Sequence, residues 1–264
     1  KTFADRNTGP GEYWRVTAFW PNSVKTGASG GPEGTSALGN VAVATRDGGD
    51  TSGYHFPEGS GPFLTFVKNE AHGIEKNGIF TWQNNIGLID LVDTLLWRNG
   101  SAGLSLGAYT GNYNFYRAQL LENGKVGLFH SIIRAFLQDS VVTGSKESNS
   151  RANIGYQIGA YIATQDPVHP VRLIRNTFKN LDIGFTQLHD PCVPDEKEVA
   201  VSGSCGGAYV HFFGNKFENV QKQLDFGWQP NANSWWYVKD AQGLDADLPS
   251  SFMALRKDAL NPAA

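Results

Sequence analysis

The residues best suited to chemistry in this chain are acidic and basic side chains that recur near short apolar segments. They are Asp90, Asp93, Arg117, Arg134, Asp139 and Arg175. Two carboxylates about 6.5–9.5 Å apart suit an inverting glycoside hydrolase, in which one acts as acid and the other as base. A basic residue grouped with carboxylates, often around Ca²⁺, suits a polysaccharide lyase. On this chemistry Asp93 and Arg117 are the candidate catalytic pair.

The spacing of these residues also permits a purely structural role. Asp90 and Asp93 are three positions apart, so alternation along a straight strand places them on opposite faces. Asp93 and Arg117 are 24 positions apart, which matches the period of the repeat described next. An ion pair between neighbouring repeats explains Asp93 and Arg117 as well as catalysis does, and we favour the ion pair.

The elements that must position these residues are revealed by a recurring glycine followed by a large apolar residue. The pairs are Gly53-Tyr54, Gly78-Ile79, Gly103-Leu104, Gly127-Leu128, Gly155-Tyr156 and Gly184-Phe185, at intervals of 25, 25, 24, 28 and 29. Polar or proline-rich insertions at 144–151 and 165–170 account for the longer intervals. A period in this range indicates short units that stack on their neighbours to bury their apolar faces.

Alternation within the units predicts which side chains face inward. Stacked in parallel, the apolar residues after the glycines form an internal ladder, and the corner asparagines hydrogen-bond to backbone amides of adjacent turns. The sequence therefore predicts an all-β fold, a right-handed single-stranded parallel β-helix. The alternative is an antiparallel sandwich with hairpins at Asn77-Gly78, Asn99-Gly100 and Asn123-Gly124.

The position after each apolar ladder residue points outward. This outward column is His55, Phe80, Ser105, Phe129, Gln157 and Thr186. Aromatic faces and polar groups in one column suit sugar rings, which stack on flat surfaces and hydrogen-bond at their edges. The column is the candidate substrate-binding site. The alternative is an ordinary solvated face, or one covered by a loop or a neighbouring domain.

Net charge, apolar runs and the two cysteines indicate which partners and which cellular compartment to expect. The net charge of −3 argues against a nucleic-acid surface, and no apolar run approaches the ~18 residues of a membrane helix. Cys192 and Cys205, flanked by Pro and Gly, predict a disulfide that closes a loop inserted at 189–207. A disulfide implies an oxidising, extracellular compartment; two unrelated thiols are the alternative. The start at Lys1 favours a mature product or a fragment.

The repeat ends after Trp228, so we expect coils over 1–228 and a C-terminal cap over 229–264. Residues 250–260 have helical spacing, and a cap would cover the end of a solenoid. Asp240, Asp245 and Asp247 are candidate Ca²⁺ ligands, although their spacing misses the EF-hand pattern. His55, His130 and His211 fall on different repeats and do not form a metal set.

The stretch 17–243 resembles the β-helix region of the G8-domain family, which includes a hyaluronan-binding protein, its transmembrane relative and fibrocystin. The resemblance rests on Ala18-Phe19-Trp20-Pro21-Asn22, Gly39-Asn40-Val41-Ala42, Gly53-Tyr54-His55-Phe56-Pro57 and Asn69-Glu70-Ala71-His72 with Gly78-Ile79. The resemblance singles out His72 as a third candidate catalytic residue, for which a structural role is the favoured alternative. Family members end in Asp-x-Asp-Gly-Ser, which Asp240-Ala-Gln-Gly243-Leu matches only in part, and the G8 domain itself is not in this chain.

These observations predict an extracellular, carbohydrate-active protein that binds, and if an enzyme cleaves, a polysaccharide such as hyaluronan or another acidic glycan. If it cleaves one, it is a hydrolase or a lyase. The alternative is a non-catalytic structural or adhesive module that packs on a partner domain or subunit at the ends of the stack. No cofactor other than Ca²⁺ is suggested.

Overall fold

The computed structural model describes residues 17–19, 36–43, 51–56, 65–81, 88–144, 154–158, 171–187, 209–226 and 235–239. These residues form strands and the turns between them, and none of them is helical. The strands are β1 (Thr17–Phe19), β2 (Ser36–Leu38), β3 (Val41–Val43), β4 (Ser52–Phe56), β5 (Thr65–Val67), β6 (Glu70–His72), β7 (Asn77–Thr81), β8 (Leu88–Val92), β9 (Leu95–Trp97), β10 (Ala102–Tyr116), β11 (Gln119–Leu121), β12 (Val126–Gln138), β13 (Val141–Thr143), β14 (Ile154–Ile158), β15 (Val171–Ile174), β16 (Thr177–Gln187), β17 (Tyr209–Phe213), β18 (Lys216–Phe226) and β19 (Trp235–Lys239).

The strands pair in parallel and form three series. The first series joins β1, β4, β7, the start of β10, the start of β12, β14 and the ends of β16 and β18. The second joins β2, β5, β8, the end of β10, the end of β12, β15, β17 and β19. The third joins β3, β6, β9, β11, β13 and the starts of β16 and β18. The chain passes through the series in a repeating order, so each strand pairs with its equivalent in the next repeat.

The predicted internal ladder is confirmed. Tyr54, Ile79, Leu104, Leu128, Tyr156 and Phe185 are each fully buried. Each is the register partner of the next along the first series. The Tyr156 and Phe185 rings stack at 5.2 Å between centroids. Leu104 and Leu106 are both buried, whereas Ser105 between them is only partly buried, as the alternation of side chains along a strand predicts.

The glycine before each ladder residue is required by the closeness of the next repeat. A Cβ on Gly103 would lie 2.8 Å from the carbonyl oxygen of Gly127 and 2.8 Å from Asn123 Nδ2. Neither the backbone nor the buried Asn123 side chain can move away easily. The marker that reveals the repeat is therefore a steric consequence of stacking.

Two columns of buried polar residues hold the corners, as predicted for the asparagines. Asn176 Oδ1 accepts from the Ser140 N–H at 3.0 Å, and Asn215 Oδ1 accepts from the Asn176 N–H at 2.9 Å. At a second corner, Asn123 Oδ1 accepts from the Asn99 N–H at 3.1 Å. These bonds satisfy amides that a tight turn leaves open.

The residue at the start of each corner adopts a left-handed backbone. Lys68, Asp93, Arg117, Asp139 and Arg175 have φ between 50° and 56° at the corner between the second and third series. Their N–H groups donate to backbone carbonyls of the next repeat; the Asp93 N–H, for example, donates to Tyr116 O at 2.9 Å. The left-handed turn lets the chain change direction while its exposed side chain projects from the corner.

The all-β class and the parallel pairing are confirmed for the described residues, and the antiparallel hairpin alternative is wrong for them. Asn99-Gly100 and Asn123-Gly124 lie at corners between the third and first series rather than in hairpins. Trp235–Lys239, which lies beyond residue 228, also pairs in parallel with β17. Cys192, Cys205 and the predicted helix at 250–260 lie outside the described residues.

Among the residues that the structure describes, no helix is long and apolar enough to cross a membrane.

Candidate functional site

The predicted outward column exists as a continuous row along the first series. His55, Phe80, Ser105, Phe129, Gln157 and Thr186 are successive register partners. The strand spacing of ~4.8 Å therefore separates neighbours in the column. Ser105 lies between Phe80 and Phe129, so a polar group alternates with two aromatic rings.

The two ends of this column differ from the expectation of an open face. His55 and Thr186 are each only 1% exposed, whereas the four residues between them are partly buried. The His55 and Phe80 rings meet edge to face at 5.2 Å. Among the described residues of the column, the partly accessible members are therefore those in the middle, namely Phe80, Ser105, Phe129 and Gln157.

Asp93 and Arg117 form the ion pair that the spacing allowed. Arg117 Nε lies 2.6 Å from Asp93 Oδ1, and Arg117 Nη2 lies 3.2 Å from Asp93 Oδ2. The hydrogen bond from Arg117 lowers the pKa of the Asp93 carboxyl below its ordinary value. A lowered pKa disfavours a role as general acid, which must hold a proton near neutral pH.

The same corner carries a second pair of this kind. Arg175 Nε lies 2.7 Å from Asp139 Oδ1, and Arg175 Nη2 lies 2.8 Å from Asp139 Oδ2. Hydrogen bonding to Arg175 lowers the pKa of Asp139. With Lys68, these residues form a corner column in which positive and negative side chains alternate. Because of this alternation, each carboxylate has a cation in the next repeat. Pairing between stacked repeats therefore accounts for the charged residues at this corner.

Asp90 belongs to a different surface. It is exposed on β8 and accepts a hydrogen bond from Asn114 Nδ2 at 2.8 Å. It is not joined to Asp93 as a carboxylate pair. The side chain of Arg134 lies outside the described part of the structure.

His72 is held in a local aromatic cluster on the third series. Its ring stacks on the Trp97 ring at 4.4 Å, and its Nε2 lies 3.7 Å from Glu70 Oε1. Trp97 Nε1 donates to the same Glu70 oxygen at 3.0 Å. Arg98 Cζ lies 5.8 Å from the centre of the Trp97 ring. The contacts of His72 are thus with Glu70 and Trp97, whereas Asp93 and Arg117 contact each other at the corner between the second and third series.

The structure supplies no metal site among the residues that it describes. No three His, Cys, Asp or Glu side chains converge there. The candidate Ca²⁺ ligands Asp240, Asp245 and Asp247 lie outside those residues.

The outer face of the second series carries a set of residues that sequence reasoning did not assemble. One column consists of Asp90, Asn114, Phe136, Arg172 and His211, which are successive register partners. The next outward column consists of Val92, Tyr116, Gln138, Ile174 and Phe213. We call these two columns together the second-series surface.

Both columns of the second-series surface are accessible. Asp90 and Arg172 are exposed, and the other members are partly buried. The Tyr116 and Phe136 rings meet edge to face at 5.4 Å, and the His211 and Phe213 rings lie 5.5 Å apart. Burial, followed by the charge of Arg172, lowers the pKa of His211. Burial and then Asp90 raise the pKa of Tyr116.

The second-series surface can be found in the sequence if positions are counted from the left-handed corner residues rather than from the glycines. The two columns lie one and three positions before each left-handed corner residue, for example Tyr116 and Asn114 before Arg117. The glycine marker belongs to the first series, and insertions change its distance from these corners. Counting from glycine therefore loses the alignment that counting back from the corner would keep.

Comparison of the chain with protein-family models, with curated proteins and with solved structures found no match in any of the three.

Proposed function

We propose that the three series of parallel strands wind as a right-handed parallel β-helix. The support is the repeating order of the series and the register of each strand with its equivalent one repeat later. The buried ladder and the corner asparagines are what such a stack needs, because each repeat depends on its neighbours for both apolar burial and hydrogen bonding.

We propose that the protein is an extracellular domain that binds an acidic polysaccharide such as hyaluronan along the outside of this stack. One observation carries the proposal. The middle of the outward column places Phe80, Ser105 and Phe129 in register on adjacent strands. Partly exposed rings that flank a hydroxyl match an extended chain of sugars, which have apolar ring faces and polar edges.

The proposal concerns binding rather than cleavage. Asp93 and Arg117 hold each other in an ion pair, and His72 stacks on Trp97, so the proposal assigns no cleavage role to these three residues. The cleavage version is tested by the same samples through the size of the polymer after incubation.

The experiment measures retardation of the protein in native gels that contain hyaluronan, chondroitin or pectin. We expect retardation by at least one polymer, weakened about fivefold in affinity by Phe80→Ala or Phe129→Ala through loss of ring contact. Val141→Ala is the matched control, because Val141 is an exposed apolar residue on the third series. Absence of retardation by every polymer would remove the binding proposal, and unchanged polymer sizes would remove the cleavage version.

A structural or adhesive role is the second candidate, and one observation favours it. Leu38 is a large apolar side chain that is 65% exposed on β2. A partner domain that covers Leu38 would explain this exposure. We expect concentration-dependent association that Leu38→Asp suppresses; a monodisperse monomer at all concentrations would contradict self-association through this residue.

A further inference from the structure

We propose that the second-series surface is a second polysaccharide-binding surface, and that Arg172 is its residue for a sugar carboxylate. This inference rests on the proposed function, since it takes the same class of ligand, but it uses different residues on a different face. It assigns roles to side chains that neither the corner ion pairs nor the first-series column explains.

The geometry of the two columns suits one kind of ligand. The columns run side by side across the five strands β8, β10, β12, β15 and β17. At the usual strand spacing this is a row of about 19 Å. One column is mostly polar and the other mostly apolar. A linear chain of pyranose sugars has the same division, because each ring has an apolar face of C–H groups and an edge of hydroxyls.

The apolar column provides the contact for ring faces. Tyr116, Ile174 and Phe213 are outward-facing and only partly buried. Phe136 reaches across from the polar column, where its ring meets that of Tyr116 at 5.4 Å. Mutual edge-to-face packing holds the Tyr116 and Phe136 rings in place, so little side-chain freedom is lost when a sugar stacks on them.

The polar column provides the contact for sugar edges. Asn114 Nδ2 donates to Asp90 Oδ1 at 2.8 Å, which fixes the amide of this partly buried side chain, and its carbonyl oxygen is an acceptor. Asp90 keeps acceptor capacity for hydroxyl donors.

Arg172 supplies the charge that selects the ligand. It is exposed and forms no hydrogen bond or ion pair with any other side chain that the structure describes. The other arginines whose side chains are described, Arg98, Arg117 and Arg175, each pair with a carboxylate in a neighbouring repeat. Arg172 instead lies between Phe136 and His211 in register, neither of which is an anion. A guanidinium in this position suits the bidentate binding of a carboxylate.

The experiment compares three variants by affinity for hyaluronan and its salt dependence. Arg172→Ala should weaken binding roughly tenfold or more, through loss of a charge-assisted hydrogen bond. It should also reduce the salt dependence of the affinity. Phe136→Ala should weaken binding about fivefold while leaving the salt dependence unchanged. Lys216→Ala, which removes an exposed cation from the third series, is the matched control and should change neither.

Each result separates this inference from the proposed function. If wild-type protein binds hyaluronan, and Phe80→Ala weakens it while Arg172→Ala has no more effect than Lys216→Ala, the inference is overturned and the proposed function stands. If no polysaccharide binds, both are overturned. If Arg172→Ala and Phe136→Ala act as expected while their thermal unfolding matches the wild type, the second-series surface is supported.

Discussion

Replacement of Asn176 by alanine should be among the most damaging single substitutions of a polar residue in this chain. The Asn176 side chain is fully buried. Its Oδ1 accepts from the Ser140 N–H at 3.0 Å, and its Nδ2 donates to Leu137 O at 2.8 Å and to Asn215 Oδ1 at 3.0 Å. One amide thus connects three successive repeats.

The magnitude follows from the groups that the substitution leaves without partners. Alanine removes the acceptor of the Ser140 N–H and the donor to Leu137 O, and both groups lie in the interior. A buried polar group left unsatisfied costs roughly 1–3 kcal/mol. Asn215 Oδ1 keeps the bond from the Asn176 N–H at 2.9 Å, so it adds less. We therefore expect Asn176→Ala to lower the free energy of unfolding by about 3–5 kcal/mol.

The assay is urea unfolding followed by far-UV circular dichroism, with the midpoint and slope compared between variants. Gln221→Ala is the matched control, because Gln221 is an exposed amide whose Nε2 donates to Asp182 Oδ1 at 3.1 Å. It should change the free energy of unfolding by no more than about 0.5 kcal/mol. If Asn176→Ala costs no more than Gln221→Ala, the corner asparagines do not hold the repeats together.

Three further outcomes test other parts of the structure. Phe178 is fully buried, and its ring stacks with Phe217 at 5.4 Å, so Phe178→Ala should cost about 3–5 kcal/mol in urea unfolding; a cost near zero would show that the register is wrong. Gly103→Ala should lower the thermal midpoint clearly, because its Cβ would lie 2.8 Å from Gly127 O, and an unchanged midpoint would contradict that closeness. The pKa of Asp93 is lowered by Arg117 from an ordinary value of 3.8. Its contribution to stability is therefore present above pH 3.8 and is lost as the pH falls through the lowered pKa. In Asp93→Asn the urea midpoint should therefore decrease less as the pH is lowered than it does in the wild type, because this carboxyl no longer titrates. A pH profile identical to that of the wild type would show that the ion pair does not contribute to stability.

Much of the interior was predictable because the repeat is written in local spacing. Tyr54 to Phe185 form the buried ladder at the positions that the glycine marker indicates. The pairing of Asp93 with Arg117 also follows from the period, since residues one repeat apart become neighbours in parallel stacking. These predictions depend only on the spacing of residues along the chain and on the alternation of side chains along each strand.

The outward positions were less predictable, because their surroundings come from residues distant in sequence. His55 and Thr186 satisfy the same alternation as Ser105, yet they are buried and Ser105 is not. His72 is fixed by stacking on Trp97, 25 positions further along the chain. Composition at these positions does not reveal what packs over them.

The sequence by itself determined the all-β class, the period and the identity of the inward ladder. These features depend on contacts between one repeat and its neighbour, namely the burial of a repeated apolar residue and the lack of space for a side chain at Gly103. Only the tertiary structure decided which outward columns stay accessible and which charges are already paired. It shows that, among the described side chains, Arg117 and Arg175 are each paired with a carboxylate, unlike Arg172. The physical reason is that ion pairing and exposure depend on the register between repeats, and insertions of different lengths hide that register from a count along the chain.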